Sequence, residues 1–391
     1  MDLGSSIGEL LKDLVRLPSR AGIDPYGPIL ERLKDWLGRH NVPTQHLTRD
    51  GETVGLVAIV EGAAHAPIFM LNATLDTAGF GTEERWTAAP TSAAVRNGWL
   101  YGRGSADSKA GVAIFAHVAA ELVANRESWA GQLVLLFDLD EHTGNFGGVR
   151  RYFECGAFPT PDGVFIGYPG NDRLVVGSRG FARAVVTVHG RSAHSGGTSN
   201  RGVNAVTRAA QLALELSGTR LREGQANDSE SFGLPPQLTI TEIRGGQGFS
   251  MVPDECLLSV DVRLTPSFGV EDARRVCLES ISRLDSLEPE CPATRTEWLP
   301  SWPAYRISDQ HPIVRALRST AEDEFQRLTP TAVVGPSNVG NYLQSLGVAA
   351  TCGFGATYRN IHATDECVEL ASLEPVYRAY RGALQKLFVR A

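Results

Sequence analysis

The strongest constraint on the fold is an apolar run at residues 133–137, Leu-Val-Leu-Leu-Phe, that leads straight into acids and a histidine. A run that is apolar at every position predicts a strand buried on both faces, as in a parallel sheet. Its ionisable end, Asp138-Leu139-Asp140-Glu141-His142, would then lie at the carboxyl edge of the sheet. Ligands bind at this edge in open α/β folds, so we predict an α/β protein with a functional site near Glu141 and His142.

Size and composition indicate a globular protein with more than one domain. The 391 residues exceed the usual size of a single core, and 42% hydrophobic with 21% charged residues is ordinary for such a protein. The net charge of -7 leaves no basic face for nucleic acid or an anionic membrane, and no apolar run approaches the roughly 20 residues of a membrane span. The N-terminus lacks the pattern of a secretory signal, so we expect a cytoplasmic location.

Neither the cysteines nor an isolated histidine are predicted to bind metal. The cysteines are widely spaced and form no Cys-x-x-Cys pair, which predicts neither a disulfide framework nor a thiolate site. His117 lies in the helix predicted after residue 109 and has no ligand partner four residues further on, which favours a structural role. The cysteines are Cys155, Cys256, Cys277, Cys291, Cys352 and Cys367.

A glycine-rich segment precedes the strand and carries another acid. It reads Gly-Arg-Gly-Ser-Ala-Asp-Ser-Lys over residues 102–109, with Asp107 as its acid. This segment and the Asp140-Glu141-His142 end of the strand resemble motifs of peptidase family M20, the metal-dependent amidohydrolases and exopeptidases that include aminoacylase and succinyl-diaminopimelate desuccinylase. The resemblance implies that Asp107 bridges a pair of zinc ions and that Glu141 is the general base.

The chain departs from the family pattern at one of the two implied zinc positions. Thr74 stands where the family has a histidine ligand, while Asp76, which orients that ligand in the family, is retained. Tyr168 stands where the family has an acidic ligand. Threonine is a poor zinc ligand, so Thr74 either bonds to neighbouring backbone or, like Tyr168, contacts the substrate.

The other implied zinc position keeps a sound set of ligands. These are Asp107, His142, which replaces a glutamate of the family, and His362. Two imidazoles and one carboxylate with an open fourth position are a recurrent catalytic zinc arrangement. The cofactor prediction is therefore one zinc ion, with no metal at all as the alternative. Asp140 is predicted, like Asp76, to orient a ligand.

The resemblance covers almost the whole chain and also implies its architecture. The implied fold is a zinc-exopeptidase-like mixed sheet flanked by helices, with an inserted α+β lid and dimerisation domain of four strands and two helices. The predicted catalytic domain comprises residues 1–178 and 295–391, and the predicted lid domain comprises residues 179–294.

Three residues outside the metal motifs are candidates for contact with the substrate. His194 is implied to stabilise an oxyanion in the active site of the partner subunit, which would make the protein a homodimer. Arg263 is either a salt-bridge partner within the lid or a binder of a substrate carboxylate. Asn338 stands in a segment that the family places near the substrate.

Three functions are open to such a chain. The preferred one is hydrolysis or acyl transfer at the amide (C–N) bond of a small N-acyl amino acid or dipeptide-like substrate, with one metal and Glu141 as base. The first alternative is a metal-independent enzyme of the same fold that uses Glu141, His142 and Tyr168 for cyclisation, condensation or elimination. The second is a non-catalytic binding protein for small molecules, which the retained Glu141 and His194 argue against. The altered ligands suggest a place in specialised metabolism.

Overall fold

The computed structural model describes residues 2–198, 202–221, 232–351 and 353–390, so Cys352 lies outside the described residues. The other five cysteines are free thiols. In the described part of the chain, no helix is both long enough and apolar enough to cross a membrane. The helices are α1 Leu3–Arg16, α2 Gly27–Arg39, α3 Ala110–Ala124, α4 Gly147–Glu154, α5 Ala205–Gly218, α6 Val270–Leu287, α7 Pro312–Phe325, α8 Val339–Ser345 and α9 Leu373–Leu387. The strands are β1 Gln45–Arg49, β2 Glu52–Glu61, β3 Ile68–Thr74, β4 Ala94–Arg96, β5 Trp99–Tyr101, β6 Trp129–Ala130, β7 Gln132–Asp138, β8 Gly163–Ile166, β9 Leu174–Ser178, β10 Gly180–His189, β11 Gln237–Gly245, β12 Glu255–Leu264, β13 Arg295–Trp298, β14 Tyr305–Arg306, β15 Thr331–Val334, β16 Ala350–Thr351, β17 Tyr358–Arg359, β18 Cys367–Glu369 and β19 Val389–Arg390.

The chain forms two compact units. The first comprises Met1–Gly177, Arg306–Ala332 and Asn338–Ala391, and the second comprises Ser178–Tyr305 and Val333–Ser337. The predicted boundary lies between residues 294 and 295 and would place β13 in the first unit. In the structure, β13 pairs with β10 and belongs to the second unit. The roles of these units as catalytic domain and lid stay predictions.

The main sheet of the first unit is mixed, with the strand order β1-β2-β7-β3-β8-β16. Strand β7 is buried at every residue, which confirms the α/β fold predicted from its apolar run. It pairs in parallel with β3 and antiparallel with β2. Helix α3 is apolar on most of its surface because it contacts β3 and β7 and also packs against α1 and α9. The ends of β3 and β7 lie side by side, with Thr74 opposite Asp138.

The second unit is built on an antiparallel sheet with the strand order β11-β12-β10-β13. Buried and more exposed residues alternate along β12, as in a strand with one face on a core. Helices α5 and α6 supply the other side of that core, which includes Val186, Leu212, Leu258, Val260 and Cys277. Strand β11 forms one edge of the sheet, and most of its residues are exposed.

His117 has the structural role that its position in α3 favours. Its Nδ1 donates to the backbone oxygen of Ala113 at 2.8 Å, so the Ser6 hydroxyl, 2.9 Å from Nε2, donates to the neutral ring. The ring lies 4.4 Å from that of Trp36. Burial lowers the pKa of His117 to about 4, and the nearby His40 adds to this effect.

The stability of the first unit should therefore fall in mild acid. Because the folded-state pKa of His117 lies below the ordinary value of 6.5, its neutral form stabilises the fold above pH 6.5 and is lost as the pH falls toward 4. Between pH 7.5 and 4.5 the unfolding free energy of wild type should fall by roughly 2–3 kcal/mol relative to His117→Gln. Urea unfolding of both proteins measures this difference. A difference that stays constant with pH would contradict the assignment.

Candidate metal centre

Three predicted metal ligands lie together in the first unit. Asp107 is in the turn Ser105–Lys109 after β5, His142 follows the carboxyl end of β7, and His362 is in the loop between β17 and β18. One potential ligand atom from each lies within 4.8 Å of the other two. His362 Nε2 is 2.9 Å from Asp107 Oδ2, and His142 Nε2 is 3.7 Å from the same oxygen. Within the described ranges, no other group of three histidine, cysteine or acidic side chains is placed to hold a metal ion.

Buried Glu366 fixes the backbone of the turn that carries Asp107. Its Oε1 accepts the N–H of Ala106 at 2.9 Å and the N–H of Asp107 at 3.2 Å. Its Oε2 accepts a hydrogen bond from Arg103 at 2.7 Å, and both charged side chains are almost completely buried. The Arg103 guanidinium also donates to the backbone oxygen of His362 at 3.4 Å. One ion pair therefore ties together the segments of two ligands.

Asp76, in the segment after β3, orients His142. Its Oδ2 accepts the backbone N–H of His142 at 2.9 Å and lies 3.3 Å from the ring nitrogen Nδ1. Its Oδ1 accepts the backbone N–H of Glu141 at 3.2 Å. With a carboxylate on Nδ1, the other ring nitrogen is directed toward Asp107. This is a common way for a carboxylate to orient a metal-binding imidazole.

Asp140, also predicted to orient a ligand, instead shapes the turn after β7. Its side chain accepts the Thr143 hydroxyl, and its backbone N–H donates to Asp138 at 2.9 Å. Asp138, which is not among the predicted site residues, also accepts the N–H of Gly148 at 3.2 Å and of Val149 at 3.0 Å, at the start of α4. Burial raises the pKa of Asp138 to about 7. The sequence signal for this contact was the position of Asp138 at the end of a buried strand, followed by the glycine pair Gly147-Gly148.

The donor set fits a metal ion. Asp107 Oδ1 and both ring nitrogens of His142 are buried and have no hydrogen-bond partner among the described residues. Buried polar atoms rarely lack a partner, so this grouping points to a ligand. Imidazole nitrogen and carboxylate oxygen are donors that zinc prefers, and the His362 side chain is 54% exposed, which leaves access from solvent.

The charges of the site influence one another strongly. Burial opposes ionisation of Asp107, but its contacts with His142 and His362 outweigh burial and hold its pKa below the ordinary value. Burial likewise opposes the charged form of His142, but Asp107 and Asp76 outweigh it and raise the pKa. Burial, assisted by the Asp107 charge, raises the pKa of Glu141 to about 8. A metal ion at this site would replace the proton on His142, because metals bind the neutral imidazole.

The hydroxyls of Thr74 and Tyr168, predicted to contact the substrate, are hydrogen-bonded to acids of the site. The Tyr168 hydroxyl donates to Glu141 Oε1, and the Thr74 hydroxyl donates to Asp76 Oδ1. The other oxygen of Glu141, Oε2, lies 3.4 Å from His142 Nδ1. The predicted base therefore lies beside the predicted ligands, with a defined neighbour at each of its oxygens.

Asn338 begins helix α8 and caps it. Its side-chain oxygen accepts the N–H of Gly340 at 2.8 Å, and its own N–H donates to the side chain of Asn341 at 2.7 Å. A reciprocal cap of this kind stabilises the start of a helix. The structure thus gives Asn338 a role in folding, and its contact with substrate stays a prediction.

Arg263 and His194 belong to the second unit. The Arg263 guanidinium pairs with Asp261 at 3.1 Å and donates to Ser337 at 3.2 Å. These contacts agree with a salt bridge within the lid, the first of the two roles predicted for Arg263. His194 is exposed, and its Nδ1 accepts the N–H of Gly196 at 3.0 Å. Its role toward an oxyanion stays a prediction.

Comparison with known proteins gives a consistent picture. The family model described as peptidase family M20/M25/M40 matches residues 70–386. A succinyl-diaminopimelate desuccinylase of Xanthomonas euvesicatoria pv. vesicatoria is 29% identical, with coverage of 98% of this chain and 100% of the relative. One from Marinobacter nauticus is 26% identical, with coverage of 97% and 98%.

Solved structures share the fold over the full length. An M20 family metallo-carboxypeptidase from Sulfolobus solfataricus is similar with a TM-score of 0.80 at 17% identity, covering 99% of both chains. A dinuclear metal-binding peptidase of the M20 family from Bacillus subtilis is similar with a TM-score of 0.71 at 15% identity, covering 98% of both chains.

The Glu366 contacts generate a prediction about stability. Glu366→Gln should lower the unfolding free energy by about 3–5 kcal/mol, because it leaves Arg103 as a buried charge without its counterion. Denaturant unfolding measures the loss. Glu290→Gln is the matched control, because it removes the exposed partner of Arg191 and should leave the stability nearly unchanged. Similar small effects of both variants would contradict the structural role of Glu366.

Proposed function

Because the chain belongs to peptidase family M20/M25/M40, we propose that it cleaves the amide bond of a small N-acyl amino acid or dipeptide-like compound with one metal ion. The chain is a hydrolase of amide bonds. The substrate class is supported by its relatives, which are named as desuccinylases of an acylated amino acid. The observation that carries the proposal is the grouping of Asp107, His142 and His362 with the Glu141 carboxylate beside them.

In the proposed mechanism, Asp107, His142 and His362 hold the ion. The chemistry that a bound zinc ion supplies is polarisation of the scissile carbonyl and acidification of a water. Glu141 accepts the proton of the attacking water and returns it to the leaving nitrogen, which a base beside the ligands is placed to do. Asp76 keeps the His142 ring in the orientation that binding requires.

We assign one ion because the other implied position lacks donors. By the family resemblance its ligands would be Thr74, Asp107 and Tyr168. The hydroxyls of Thr74 and Tyr168 already donate to Asp76 and Glu141. Neutral hydroxyls are weaker zinc ligands than imidazole and carboxylate. Asp107 is therefore the only good ligand among the three residues implied for this position.

We also propose a homodimer that forms through the second unit. Strand β11 is an exposed edge of its sheet, and an exposed edge offers unpaired backbone groups to another chain. His194 of one subunit would then stabilise the oxyanion formed at the site of the other. A cytoplasmic location and a role in specialised metabolism stay predictions. The metal-independent enzyme and the binding protein are not favoured, since the family and the relatives are hydrolases.

Metal content tests the ligand assignment. Protein saturated with zinc and dialysed against metal-free buffer should retain about one ion per chain, by elemental mass spectrometry. His362→Ala should lose at least about tenfold in zinc affinity, because one of three donors is gone. His65→Ala, which removes an exposed histidine beside Glu61, is the control. No retained zinc in wild type would refute the metal site, and two ions per chain would refute the single-ion assignment.

Glu141→Gln tests the base. The variant should keep its zinc and its melting temperature and lose about 10²- to 10⁴-fold in kcat, because the shape is kept and the proton acceptor is gone. Hydrolysis of a panel of N-acyl amino acids and dipeptides measures kcat. Glu127→Gln, on the exposed surface, is the control. Turnover within twofold of wild type would show that another group takes the proton.

A further inference from the structure

Each oxygen of the Glu141 side chain has a defined neighbour, and one of these neighbours is a hydrogen-bond donor. Tyr168, which lies just after β8, donates its hydroxyl to Oε1, and His142 Nδ1 lies 3.4 Å from Oε2. All three side chains are buried or half-buried in the first unit. The Tyr168 hydroxyl is therefore a donor aimed at the carboxylate that the proposed reaction uses as its base.

A second hydroxyl reaches Glu141 through Asp76. The Thr74 hydroxyl donates to Asp76 Oδ1, and the same oxygen accepts the backbone N–H of Glu141 at 3.2 Å. The other oxygen of Asp76 accepts the N–H of His142 at 2.9 Å. Thr74 thus holds the Asp76 carboxylate, and Asp76 holds the turn that carries Glu141. Both residues that depart from the family pattern at one zinc position converge on Glu141.

Glu141 needs such support because of where the chain places it. It lies in a turn after β7 and not within a helix or strand, and its side chain has several rotatable bonds. A general base works only within hydrogen-bond reach of its proton, and a displacement of about 1 Å can cost on the order of 10²-fold in rate. A buried carboxylate also requires donors to offset its lost hydration.

We propose that Tyr168 and, through Asp76, Thr74 are positioning residues of Glu141: the phenol fixes the carboxylate, and the threonine fixes the backbone that carries it. This inference rests on the proposed function, because it takes Glu141 as the base. The Tyr168 backbone has its own support, since a Cβ added at Gly355 would lie only 2.3 Å from the Tyr168 carbonyl oxygen. We therefore expect loss of the hydroxyl alone to leave the Tyr168 backbone in place.

The kinetic test uses Tyr168→Phe on the zinc-loaded full chain. The variant should lose about 10- to 100-fold in kcat with KM within about threefold of wild type, because the base is displaced and the binding surface is kept. Tyr377→Phe is the matched control, because the Tyr377 hydroxyl also donates to a glutamate, Glu121, but between α9 and α3. The control should keep wild-type kcat. A kcat of Tyr168→Phe within twofold of wild type would overturn the proposal.

A double-mutant cycle distinguishes positioning from direct action on the substrate. In the Glu141→Gln background, Tyr168→Phe should change the residual kcat by less than about twofold, since nothing is left to position. A loss as large as in wild type would show that Tyr168 acts on the substrate itself. Thr74→Val should lower kcat at least about tenfold, and Thr74→Ser, which keeps the hydroxyl, should restore it to within about threefold. Equal rates of these two variants would overturn the role of Thr74.

Thermal unfolding tests the same contact without any substrate. The double variant Tyr168→Phe/Glu141→Ala should lose no more in Tm than the larger of the single variants, because Glu141→Ala removes the acceptor of the Tyr168 hydroxyl and one hydrogen bond can be lost only once. Strictly additive Tm losses would overturn the contact. If wild type retains zinc but cleaves no compound of the panel, the proposed substrate class fails. The thermal cycle then still decides whether Tyr168 holds Glu141.

Discussion

The whole site depends on the Asp76 carboxylate. This side chain has no exposure to solvent. It accepts the backbone N–H groups of Glu141 and His142 and the hydroxyl of Thr74. Removing a carboxylate from water costs several kcal/mol unless donors fill its oxygens. Here the donors come from the turn after β7, so the same contacts that make burial tolerable fix that turn. The predicted base, Glu141, and one predicted ligand, His142, therefore share an anchored backbone.

The strand could be predicted because it depends on a local pattern, whereas the candidate ligands follow from the family resemblance. The apolar residues 133–137 admit only a buried strand, and β7 is that strand. Asp107, His142 and His362 were inferred from motif order, and their ligand atoms lie within 4.8 Å of one another. Only His142 follows a strand of the main sheet, whereas Asp107 and His362 lie beside β5, β17 and β18 of a smaller antiparallel sheet. Their proximity was therefore expected from the family resemblance and not from a strand pattern.

The partners of the two acids after β7 were harder to predict, because Asp138 and Asp140 are close in sequence and the turn between β7 and α4 decides which contacts each makes. Asp140 was predicted to orient a ligand, but it accepts the Thr143 hydroxyl, and Asp138 accepts the N–H groups at the start of α4. The loop of His362 is a similar case. Asn360, His362 and Asp365 all have left-handed φ values, of 57°, 59° and 59°. Such values are uncommon outside glycine, and although asparagine, histidine and aspartate adopt them more often than other residues, this preference does not fix the path of the loop.

The charge of the site agrees with a single divalent ion. By the family resemblance, Tyr168 and His142 stand at positions of two acids, so the chain has two fewer negative charges there than its family pattern. Two negative charges are the compensation that one divalent cation needs, and a bound ion is the largest local charge in such a site. The hydroxyls of Thr74 and Tyr168 carry no charge and donate to the carboxylates that remain. A second ion would have to break both hydrogen bonds and would meet only Asp107 as a charged ligand. On the proposed single-ion assignment, the substitutions would exchange one ion for two hydroxyl donors, and these donors would support the proposed base, Glu141.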